Sequence, residues 1–99
     1  PPAEPEKNEA WWRNRITEVR AALERNKLLV DSLQTRANAL VNDFEARDDP
    51  AQRMMLKQER EKALAELQRV KDEIAAATKQ IADIEEEARR AGVPPGWLR

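Results

Sequence analysis

Apolar residues recur at alternating intervals of four and three on both sides of Pro50, and the two ladders mirror one another about it. The first runs Trp12, Ile16, Val19, Leu23, Asn26, Val30, Leu33, Ala37, Leu40 and Phe44. The second runs Leu56, Arg60, Ala63, Leu67, Val70, Ile74, Ala77, Ile81, Ile84, Ala88 and Ala91. This spacing keeps one helix stripe continuously apolar, the heptad pattern whose a and d positions line a helix–helix seam. With Ile16 at a and Leu56 at d, each first-ladder residue has a counterpart whose number brings the sum to 100. Ile16 pairs with Ile84, Leu23 with Ala77, Val30 with Val70, Leu33 with Leu67 and Phe44 with Leu56, and every pair joins an a to a d. Antiparallel seams are built from such mixed layers. The expected fold is all-α, a long antiparallel two-helix coiled-coil hairpin.

Local signals place the reversal at the same point. The residue before a proline resists helical dihedrals, so Asp48-Asp49-Pro50-Ala51-Gln52 reads as a helix start with Asp49 as N-cap, Pro50 in the first helical position and Gln52 at the third. Gly92 suits the position just past a helix, with Arg89 and Arg90 near the negative pole and Pro94-Pro95 blocking continuation. The expected organisation is a proline-rich segment 1–8, a hairpin over 9–91 and an extended tail 92–99. Within it helix one spans about 6–47, the turn 48–50 and helix two about 50–91. Arg13 and Arg15 would face Glu85 and Glu87, and Arg36 would face Glu66. Asn26 and Arg60 interrupt the apolar ladders, where buried polar residues fix register. Arg60 could instead carry its head to solvent or to Asp43 while its stem packs on Leu40.

Composition narrows the function. Charged residues make up 37% of the 99-residue chain and only two glycines interrupt it, which is the composition of long solvated helices. With 18 Lys and Arg against 19 Asp and Glu, no global field draws the chain to nucleic acid. The basic run Arg13, Arg15, Arg20 and Arg25 is largely opposed by helix-two glutamates. Cysteine and histidine are absent, which removes thiolate nucleophiles, imidazole bases and the usual zinc ligands. Glu85, Glu86 and Glu87 do not form a cation site, because consecutive helical residues point about 100° apart. No catalytic, cofactor-binding or metal-ligating residue is expected. No apolar run reaches the roughly 20 residues of a membrane-spanning helix, so no integral membrane segment is expected either.

The candidate partner-binding residues are apolar. Trp11, Trp12, Trp97 and Leu98 should gather where the helix ends meet, as a hydrophobic plug or as a docking patch with the Pro-Pro-Gly-Trp tail extended like polyproline. Leu28 and Leu29 point away from the seam, level with Ala75-Ala76, and offer a face on which two hairpins could form a four-helix bundle. Met54 and Met55 lie near the turn, where they could contact a partner but are expected to fill irregular core beside the loop.

The function expected from these features is that of a non-enzymatic structural or interaction protein, a spacer or oligomerisation module. The alternative is an envelope-associated binding module or small holdase chaperone using the tryptophan end or the tip. The expected partner is protein, including a second copy, with no nucleic acid and no small-molecule substrate. Because the sequence opens Pro1-Pro2-Ala3-Glu4-Pro5 without Met, it fits a secreted or periplasmic chain after leader removal, and otherwise a trimmed cytoplasmic one.

Overall fold

The computed structural model describes residues 6–99, so residues 1–5 of the expected proline-rich segment lie outside it. Two helices, α1 (Glu9–Ala46) and α2 (Pro50–Arg90), pack antiparallel as a hairpin and are followed by a short 3-10 helix, Pro95–Leu98. Among the described residues there is no strand.

α1 begins at Glu9 rather than near residue 6, because Asn8 is the cap. Its side-chain Oδ1 accepts the Trp11 N–H at 3.0 Å, and its backbone carbonyl accepts the Trp12 N–H at 3.2 Å. At the reversal, Asp49 Oδ2 accepts the Gln52 N–H at 3.3 Å, satisfying one of the free donors at the start of α2. Arg53 closes the other side of the turn. Its Nη1 donates to the Arg47 carbonyl at 2.9 Å and the Phe44 carbonyl at 3.3 Å, and its guanidinium lies 4.1 Å from the Phe44 ring centroid. The last turn of α1 contains no basic residue. The cation that complements its negative pole is therefore supplied by α2.

α2 ends in a Schellman motif. Gly92 has φ 71°, the left-handed conformation that a side chain would strain. The Val93 N–H reaches the Ala88 carbonyl at 3.0 Å and the Gly92 N–H reaches the Arg89 carbonyl at 3.2 Å. Val93 then packs on the cluster containing Ala88, the apolar contact that accompanies this motif.

Packing divides into two units, residues 6–24 with Ala75–Arg99, and Arg25–Ile74. In the first, Trp12, Ile16, Ile84 and Ala88 form a buried cluster, with Val19 and Ile81 half-buried against it. In the second, Ala37, Leu40 and Ala63 form the buried cluster, with Leu56 and Leu64 against it, and Leu67 and Val70 are buried as well. Ile16 with Ile84, Trp12 with Ala88 and Ala37 with Ala63 share clusters, which is the mirror register about Pro50. The polar interruptions behave differently from buried register markers. Asn26 is only half-buried and Arg60 is exposed, so among the described residues the core contains no buried polar side chain. A long, flexible stem lets Arg60 keep its charge in water instead of bearing the desolvation cost.

Candidate functional site

The tryptophan residues do gather, and they are covered. Trp12 is buried, while Trp11, Trp97 and Leu98 are half-buried against the cluster of Trp12, Ile16, Ile84 and Ala88. The tail is not extended. After Pro94 it turns into the 3-10 helix, with the Trp97 N–H bonded to the Pro94 carbonyl at 3.0 Å. Two arginines of α1 hold it there, Arg13 donating to the Gly96 carbonyl at 3.0 Å and Arg20 to the Leu98 carbonyl. Burying Trp97 and Leu98 releases more free energy than holding them straight in water, so the plug arrangement prevails over the polyproline one.

Trp11 and Trp12 meet edge to face, with ring centroids 4.9 Å apart. The Arg15 guanidinium lies 5.2 Å and 5.7 Å from their centroids, and its Nη1 is enclosed without a hydrogen-bond acceptor. Its Nη2 forms an ion pair with Glu87 at 2.7 Å. That hydrogen bond is the main reason the Glu87 carboxyl is held below its ordinary value. A depressed carboxylate stabilises the fold fully above the unfolded value, about 4.3, and the contribution disappears as pH falls through the lower native value. The pair is partly exposed, so its contribution is at most about 0.2–1 kcal/mol and is screened by salt. Compared with Glu87→Gln, the wild-type chain should show this small advantage in urea melts at neutral pH and lose it in acid. An advantage that persisted in acid would rule out the ion pair as its source.

The remaining acidic residues pair locally. Glu86 binds Arg89 at 2.7 Å and Arg90 at 2.9 Å, and these partners lower its pKa, Arg89 more than Arg90. Glu66 is held by Arg69 on its own helix, which also reaches Glu73. Arg36 instead lies 3.5 Å from Glu59, and Arg13 binds Glu9 at 2.8 Å. Neighbours three or four residues along the same helix take Glu66 (by Arg69) and Arg13 (by Glu9) from the expected cross-helix pairs, while Arg36 keeps a cross-helix partner, Glu59 in place of Glu66. Among the described residues no group of His, Cys, Asp and Glu gathers where a metal ion could sit, and no helix is long and apolar enough to cross a membrane.

Among the described residues, the large apolar side chains left in solvent are Leu28, Leu29, Met54 and Met55. Leu28 is 73% exposed and Leu29 39%. Met54 and Met55, at 54% and 66%, do not fill core beside the loop as expected. Arg53 is the residue that packs on Phe44 beside the turn, and the methionines face solvent from the first turns of α2. Continuing from Leu28 at the same four-three spacing, Ser32, Thr35, Ala39, Asn42 and Ala46 are all exposed and uncharged. Near the turn, Val41, Phe44, Glu45, Lys57 and Arg60 line a shallow groove of about 320 Å³.

Asn8, Arg53 and the carbonyl-binding roles of Arg13 and Arg20 escaped the sequence reading. Asn8 sits one helical turn before the apolar ladder and Arg53 is one step beyond it on the turn side, and both positions were readable signals. The molecule is an all-α helical hairpin with a closed tryptophan end and apolar residues exposed elsewhere. Compared with known protein families, curated proteins and solved structures, the chain has no match in any of the three.

Proposed function

We propose that the protein is a non-enzymatic structural or interaction protein, a helical hairpin that serves as a spacer and pairs with a second copy through the outward face of α1. The observation that carries this reading is the exposure of Leu28 at 73%, with Leu29 beside it, on a helix whose remaining large apolar residues are buried or half-buried. The uncharged outward row from Ser32 to Ala46 supports it, since in a chain with 37% charged residues an outward helix row is ordinarily charged. Two such rows packed together would give a four-helix bundle.

Sedimentation tests the pairing. The wild-type chain should have the mass of two chains at high concentration, and Leu28→Asp with Leu29→Asp should return it to one while helicity is retained. A wild-type chain that stays single, or a double variant that stays paired, would overturn the reading. A second reading, a binding module or small holdase that engages clients at the turn, is favoured by the exposure of Met54 and Met55. It predicts suppression of client aggregation by the single chain, which the pairing variant would leave intact.

A further inference from the structure

The two methionines are the only sulfur-bearing side chains in the protein, since cysteine is absent. They are adjacent in sequence, and both stand in solvent. The other oxidisable side chains are better shielded, with Trp12 buried and Trp11 and Trp97 half-buried. Thioether oxidation follows exposure, and a sulfoxide disrupts a fold only where the thioether was packed. Neither methionine belongs to a buried cluster.

We propose that Met54 and Met55 form a modification site for hydroperoxides, at which both thioethers become sulfoxides without loss of the fold. In each event a sulfur lone pair attacks one peroxide oxygen, the O–O bond breaks, and the sulfur gains that oxygen while water or an alcohol departs. The sulfur is oxidised by two electrons and the peroxide is reduced by two. The product replaces two flexible apolar side chains with two polar, chiral ones, so the surface beside the turn changes from apolar to polar. Reversal requires a sulfoxide reductase.

The test uses the full chain treated with hydrogen peroxide in the presence of free methionine as an internal standard, followed by peptide-resolved mass measurement and circular dichroism. The expected result is one oxygen at each of Met54 and Met55, two per chain, by the time the free amino acid is consumed, with helicity unchanged. A methionine that stays a thioether at that point would overturn the proposal, as would helicity that falls in step with oxygen uptake. The variant Met54→Leu with Met55→Leu should take up no oxygen over the same interval. Uptake by that variant would place the reactive groups elsewhere and would also overturn it.

Discussion

Replacing Ile16 with alanine should cost about 2–5 kcal/mol, the range for removing a buried branched side chain and leaving a cavity. Ile16 is fully enclosed in a cluster of only four buried residues, Trp12, Ile16, Ile84 and Ala88. One of those neighbours is an alanine, which has no side-chain length with which to collapse into the space. The same truncation at Ile81, half-buried against the same cluster, leaves less of a void and should cost distinctly less. Small domains have only about 5–15 kcal/mol of stability in total, so Ile16→Ala should take a large share of it. Urea melts of the two variants decide the matter, and equal losses would contradict the placement of the core.

Ending the chain at Val93 should remove about 2 kcal/mol, taking Trp97 and Leu98 as each contributing about half the value of a fully buried side chain. The loss is of cover rather than of helix. α2 is already closed by the Schellman bonds of Gly92 and Val93, so helicity should stay while the thermal midpoint falls. Trp11 and Trp12 remain as reporters, and their emission should shift to the red as water reaches the cluster that the tail had covered. Arg13 and Arg20 would also lose their carbonyl acceptors at Gly96 and Leu98. Unchanged emission would mean that the 3-10 helix does not shield the indoles.

What was legible in the sequence was whatever depends on periodicity or on one residue's backbone preference. The paired ladders specified which residues share clusters, because a heptad stripe has only one face to offer. Asp49-Pro50 and Gly92 marked their boundaries through dihedral restrictions that hold in any context. The rest depended on competition between long side chains. Arg36 chose Glu59 over Glu66 because Arg69 already held Glu66, and no spacing rule ranks those alternatives. Met54 and Met55 face solvent while Arg53 beside them satisfies carbonyls and a ring at once, a double role that hydropathy does not register. The tail's return over the tryptophans was the plug arrangement, but the bonds from Arg13 and Arg20 to the Gly96 and Leu98 carbonyls join opposite ends of the chain, which no local pattern registers.

The three-residue connection between α1 and α2 also bears on how copies of this protein could combine. For two molecules to trade arms, each would have to straighten into one uninterrupted helix through residues 47–49. Pro50 lacks the N–H that such a rod needs, and its ring collides with the preceding turn, at a cost of about 3 kcal/mol. Straightening would also tear Arg53 from the Phe44 and Arg47 carbonyls. The bend thus disfavours arm-swapped pairs, and joining finished hairpins is the less costly route for copies of this chain to combine.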